Sequence, residues 1–125
     1  MKRLSRSDLQ NTPGAWDDLA PFDLVEICDG RAGFFIVLAE ARGSGEKRFR
    51  LSNVYGYRVF DESDLLGYLP TVPAGIYCVP ESEFQEWARN ATLTGQYPPT
   101  IQHFVIVSAN GVLEYLGTEM PLPVD

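Results

Sequence analysis

Few side chains in this sequence could carry chemistry. His103 is the only histidine, which rules out a multi-histidine metal site and leaves one imidazole for acid–base work. A nucleophilic triad built on that ring needs Cys28, Cys78 or a serine beside it, with a carboxylate to orient it. No Gly-x-Ser-x-Gly elbow occurs. His103 therefore reads first as a hydrogen-bonded structural residue. Its second reading is the centre of a pocket between sheet and helix, where it meets an acid such as Glu114 and tyrosines.

Three other stretches have the residue types of a site without its spacing. Gly43-Ser44-Gly45-Glu46-Lys47 resembles a phosphate-cradling loop. That loop needs two glycines five positions apart and a following helix; here a strand-like run follows, so a hairpin loop is expected. Asp61-Glu62-Ser63-Asp64 gathers three carboxylates. Leu65, Leu66 and Val72 occupy the positions where a calcium loop needs oxygen ligands, glycine and the closing Glu, so helix capping is the more economical account. Cys28 and Cys78 lie in separate apolar runs with no Cys-x-x-Cys spacing and are expected to be buried free thiols, a disulfide requiring that their strands be neighbours. No cofactor and no metal are expected.

Charge placement says more than the total of -7. The first 50 residues balance, eight basic groups against eight acidic ones. Beyond them only Arg58 and Arg89 oppose nine acids: Asp61, Glu62, Asp64, Glu81, Glu83, Glu86, Glu114, Glu119 and Asp125. Such a surface repels phosphate backbones and speeds encounter with basic partners, so a protein partner is favoured over nucleic acid. The candidate partner-binding residues are Asp61, Glu62, Asp64, Glu81, Glu83, Glu86 and Tyr97, the last in a Pro-rich loop. The bland account is that these carboxylates keep the protein soluble. No run approaches the roughly 20 apolar residues of a membrane span, and the start, MKRLSRSDLQ, lacks the apolar core of a secretory signal. A cytoplasmic location follows as an expectation, in which the acceptor pattern Asn90-Ala91-Thr92 has no consequence.

The elements that must position these residues are written in periodicity. A length of 125 residues suits one domain, with residues 1–14 poorly ordered. Strand-like runs occupy 22–29, 33–41, 47–54, 55–60, 76–79, 103–109 and 112–117. Asp29-Gly30 suits a tight hairpin, 42–46 a longer one, and Asn110-Gly111 is the strongest turn signal. The run 33–41 is apolar on both faces and belongs in the middle of a sheet; in 47–54, Phe49 and Leu51 alternate with Arg48, Arg50 and Ser52, giving one wet face. A short helix is expected through Leu65, Leu66 and Leu69. A principal helix follows the capping-box pair Ser82 and Gln85, burying Phe84, Trp87, Ala88 and Ala91. The tail MPLPVD ends the sheet. The fold class expected is α+β: a curved, mainly antiparallel sheet of about six to seven strands, one principal amphipathic helix and one short helix.

Val79, Ser82, Phe84, Trp87, His103, Phe104 and Leu116, together with the upstream YGYRVFDESDLL, follow a pattern. It is Val-x-x-Ser-x-hydrophobic-x-x-Trp, then a His-aromatic strand, then a closing hydrophobic strand. The chain thereby resembles a group of small, uncharacterised bacterial proteins, similar in type to immunity or accessory proteins of polymorphic toxin systems. The resemblance implies a non-enzymatic protein-binding domain, an immunity-type inhibitor that masks a basic toxin. The alternative is a small enzyme or ligand-binding domain with a pocket at His103 and Glu114. A third reading is a structural subunit of a homo-oligomer.

Overall fold

The computed structural model describes residues 10–11, 21–61, 74–91 and 100–124. They form nine strands and one helix: β1 (Gln10–Asn11), β2 (Phe22–Gly30), β3 (Gly33–Glu40), β4 (Glu46–Leu51), β5 (Gly56–Asp61), β6 (Gly75–Val79), α1 (Glu83–Ala91), β7 (Gln102–Val107), β8 (Gly111–Gly117) and β9 (Leu122–Val124). The mainly antiparallel α+β character follows the sequence, but the single curved sheet does not. There are two sheets, five strands in the order β1-β6-β7-β8-β5 and four in the order β2-β3-β4-β9. The expected short helix through Leu65, Leu66 and Leu69 lies outside the described residues, and among the described residues no helix is long and apolar enough to cross a membrane.

Two sheets form because alternate residues of both supply large apolar side chains to one shared interior. Phe34, Ile36 and Leu38 of β3 and Phe49 and Leu51 of β4 meet Phe104 and Ile106 of β7 and Leu113 and Tyr115 of β8 in one buried cluster. The opposite face of the five-stranded sheet carries α1, where Phe84 and Ala88 pack with Ile101 and Leu116. Strand β8 is therefore buried along its whole length, apolar towards the sandwich on one side and covered on the other. As the sequence implies, β3 is central, between β2 and β4, and β4 has a wet face, with Arg48 and Arg50 exposed.

Several boundaries shift for identifiable reasons. The β2–β3 turn is Arg31-Ala32, since Gly30 pairs with Gly33; Gly33 takes the positive φ of 123° that an L side chain disfavours. The Pro-containing tail does not end the sheet: β9 adds to β4 as its edge strand, Pro123 lying opposite Phe49, and the edge is where a sheet tolerates proline. Gln10–Asn11, within the stretch expected to be frayed, pairs with β6. Cys28 is exposed and Cys78 half-buried, both free; they sit on different sheets, so the buried position expected for Cys28 is not observed. The 42–46 segment is a hairpin loop, closed by the Glu40 amide donating to the Gly45 carbonyl at 2.8 Å and followed by β4.

Asn110 joins the two sheets. The β7–β8 hairpin is present, with Val107 opposite Val112, but neither Asn110 nor Gly111 is among the positive-φ residues, so the two-residue turn that Asn-Gly suggests is not used. Instead the Asn110 carboxamide accepts from the Leu24 amide at 2.8 Å and donates to the Leu24 carbonyl at 3.3 Å. The Ala109 amide donates to the Phe22 carbonyl at 2.8 Å. The contact sits where the β2 register shifts between Leu24 and Glu26, satisfying edge-strand groups that the bulge leaves open. Asn110→Ala is expected to destabilise the protein by about 1–3 kcal/mol, because the Leu24 groups lose their partner. Asn110→Asp, which keeps the acceptor and loses the donor, should fall between Asn110→Ala and wild type. Denaturant midpoints at unchanged m-value measure both.

Candidate functional site

The face of the five-stranded sheet under α1 gathers the polar residues. Glu114 stands mid-way along β8, opposite Arg58 of β5 and Val105 of β7. His103 pairs with Leu116, which makes it the diagonal neighbour of Glu114 on the same face, within reach of a long side chain. Both His103 and Glu114 have no exposed surface. Ser82, half-buried, precedes the first turn of α1.

These four side chains form one connected chain of contacts. His103 Nε2 lies 2.7 Å from Glu114 Oε1, and His103 Nδ1 lies 2.8 Å from Ser82 Oγ. Arg58 donates through Nε to Glu114 Oε2 at 2.8 Å and through Nη2 to Oε1 at 3.1 Å. A carboxylate only accepts, so Nε2 carries a hydrogen, and in the neutral ring Nδ1 is left to accept the Ser82 hydroxyl. Ser82 Oγ also accepts the Gln85 amide at 3.1 Å, the N-cap bond expected from the sequence. The other half of the capping box is not made: the Gln85 side chain donates to the Ile101 carbonyl at 3.2 Å.

Around this line of polar groups the packing is aromatic. The Phe84 ring meets the His103 ring edge-on with centroids 5.4 Å apart, and the Arg58 guanidinium lies 4.4 Å from the Phe84 centroid, a cation–π contact on a partly desolvated cation. Burial alone pushes the Glu114 carboxyl upward, but hydrogen bonds from His103 and Arg58 and their charges outweigh it and hold the group below its ordinary value. Burial raises the Tyr115 phenol, whose hydroxyl donates to the Glu119 carbonyl at 3.0 Å.

The residues that the sequence singled out do not gather in one place. His103 and Glu114 come together, yet as a filled, buried contact. A hollow of about 690 Å3 lies elsewhere, lined by Phe34, Arg50, Asn53, Tyr55, Tyr57 and Glu119 among others. Glu81, Glu83 and Glu86 are exposed at the start of α1. Asp61 ends β5; Glu62, Asp64 and Tyr97 lie outside the described residues. The buried face of α1 differs from expectation: Phe84, Gln85 and Ala88 are inside, Ala91 is exposed, and Trp87 is 58% exposed. Two bonds rotate the helix this way, Ser82 to His103 and Gln85 to Ile101, drawing Gln85 inward and Trp87 out, where its ring stacks on Phe84 at 6.0 Å.

Ser82 was not legible as a partner of His103, nor Arg58 as the partner of Glu114. Ser82 presents itself in sequence as a helix cap, and Arg58 as one polar residue in a strand. One signal was available: a hairpin centred between Val107 and Val112 puts His103 and Glu114 on the same face by parity. Among the described residues no group of three or more His, Cys, Asp and Glu side chains gathers as a metal site. Comparison of the chain with protein-family models, with curated proteins and with solved structures finds no match.

Glu114→Gln removes the charge that Arg58 faces inside the protein, where breaking a buried pair costs about 3–5 kcal/mol. A folded-state value below the ordinary 4.5 means that the stability from Glu114 is fully present above that pH and is lost as pH falls through the depressed value. Urea titrations between neutral and strongly acid pH should show the wild type losing an increment on the acid limb that Glu114→Gln lacks.

Proposed function

We propose that this chain is a non-enzymatic protein-binding domain that docks a basic partner on the N-terminal half of α1, in the manner of an immunity-type inhibitor. The observation that carries this reading is Trp87. A large aromatic side chain 58% exposed on a helix whose neighbouring exposed residues include Glu83 and Glu86 has the composition of a binding anchor with a polar rim. Its exposure is imposed by the bonds that hold the helix, since burying Trp87 would require turning Gln85 and Ser82 away from Ile101 and His103. Glu81 extends the acidic rim, and the excess of nine acids over two basic groups in residues 51–125 favours a cationic partner through long-range steering. The immunity-type character rests on the family resemblance of Val79, Ser82, Trp87 and His103.

A second reading has its own observation. The contacts from Ser82 through His103 to Glu114 set a hydroxyl against an imidazole that is itself oriented by a carboxylate, the arrangement that a small enzyme or ligand-binding domain centred on His103 would need.

The binding reading is tested by co-expression with the product of the adjacent gene, scoring complex formation and protection of growth. Neither complex nor protection sinks the immunity-type version. Given a complex, Trp87→Ala should weaken it by about 2 kcal/mol or more, roughly 30-fold, and leave stability within about 0.5 kcal/mol of wild type, as for an exposed residue. The association rate should fall as salt rises; a rate indifferent to salt removes the steering argument.

A further inference from the structure

We infer that the hollow where the two sheets meet beside Phe34 and Tyr57 is a binding site for a small organic cation, an amine whose ammonium group sits on an apolar stem. The site involves neither α1 nor His103, so it depends on neither reading above. Its volume of about 690 Å3 falls within the range of about 300–1,000 Å3 that small-molecule sites occupy, and its walls come from both sheets. Phe34 of β3 stands opposite Asp29 of β2 and opposite Leu51 of β4. Cross-strand partners share a face, so Asp29 belongs to the inner face of the four-stranded sheet, in line with two side chains of the core, Phe34 and Leu51. Tyr57 pairs with Tyr115, also of the core, and so belongs to the inner face of the five-stranded sheet. Its ring meets Phe34 edge-on with centroids 4.9 Å apart. Even so, Tyr57 is 44% exposed, leaving aromatic surface that the sandwich does not cover.

The charges of the lining select the ligand. Asp29 and Glu119 supply two exposed carboxylates, and among the described residues neither is held in an ion pair. Arg50 also lines the hollow, but it pairs with Phe35, one residue out of step with Phe34 and Leu51, and so belongs to the outer face. A Cβ on Gly33 would stand 3.8 Å from its Nε. The guanidinium therefore reaches the hollow only at its rim, whereas Asp29 is on the inner side. Tyrosine rings present a negative face to a cation, and Tyr55, 49% exposed, adds a second ring to that of Tyr57. The Tyr55 wall is formed before any ligand arrives: its amide donates to the Leu116 carbonyl at 2.8 Å. Asn53 takes a φ of 51°, a left-handed conformation that asparagine tolerates, and its Nδ2 donates to Thr118 Oγ1 at 3.1 Å. A preformed wall lowers the ordering cost of binding. An apolar stem satisfies Phe34, Leu51 and Tyr57, and an ammonium group satisfies Asp29 and Glu119. The net charge of -7 disfavours an anion in the same place.

Three probes of similar size and different charge test this: 2-phenylethylammonium, 2-phenylethanol and 3-phenylpropionate, each titrated by NMR into the protein with isotope-labelled tyrosine rings. The amine should move the Tyr55 and Tyr57 ring signals saturably below about 10 mM. It should bind at least about 5-fold more tightly than the alcohol, through charge and cation–π attraction, and the carboxylate should bind least. Asp29→Asn should weaken the amine about 3-fold and leave the alcohol unchanged. Asp29→Lys should place the carboxylate ahead of the amine. Asp29 is exposed, so both variants should keep the wild-type denaturant midpoint within about 0.5 kcal/mol of stability. The inference is overturned if neither ring signal moves up to that concentration, or if the alcohol or the carboxylate binds as tightly as the amine. It is equally overturned if the Asp29 variants leave the amine affinity unmoved or change all three probes alike, as a purely structural Asp29 would.

Discussion

A carboxylate in the middle of a strand buried on both faces has to be met by donors, and much of the helix side of this protein follows from how Glu114 is met. Strand β8 is covered by the sandwich core on one face and lies beneath the α1 layer on the other, so water is not at hand to solvate the charge. An ionised carboxylate without partners in such a place would cost several kcal/mol. Arg58 supplies the opposite charge from the neighbouring strand, His103 supplies one further N–H, and both carboxylate oxygens are filled. The histidine's second nitrogen then needs a partner of its own, which Ser82 provides from the start of the helix.

That chain of requirements fixes the helix as well as the charge. With Ser82 held by His103 and the Gln85 carboxamide held by the Ile101 carbonyl, the rotation of α1 about its axis is no longer set by hydrophobic area alone. Ala88 permits close approach to the sheet, Phe84 fills the space between His103 and Arg58, and Trp87 is left outside. An amphipathic pattern counts Trp87 as apolar and assigns it inward. The structure shows two hydrogen bonds to buried groups outweighing the burial of one indole, reasonable when an unmet buried donor or acceptor costs about 1–3 kcal/mol and half-exposed aromatic surface loses only part of its transfer energy.

The other face of the five-stranded sheet depends on a different constraint, the matching of two sheets. Their interior is apolar throughout the cluster from Phe22 to Tyr115, which gives cohesion but little positional information, since hydrophobic contact is non-directional. Asn110 supplies direction. Its carboxamide takes the place of a neighbouring strand for Leu24, fixing where the β7–β8 turn meets the bulged edge of β2. The Asn-Gly signal thus located a turn correctly while the reason for the asparagine lay in the other sheet.

By itself the sequence determined the local elements of this protein: the strand runs, the single wet face of β4, the hairpin loop at 42–46, the Ser82 cap and the uneven placement of charge. Each is set by neighbours a few residues apart, through pleat alternation, turn geometry and capping. Parity across the 103–117 hairpin also put His103 and Glu114 on one face. Only the tertiary structure decided that there are two sheets, that Trp87 faces out, and that Ser82 meets His103 while Arg58 meets Glu114. Those outcomes depend on contacts between residues 16 to 86 positions apart, and periodicity carries no information about which face of one element will meet which face of another.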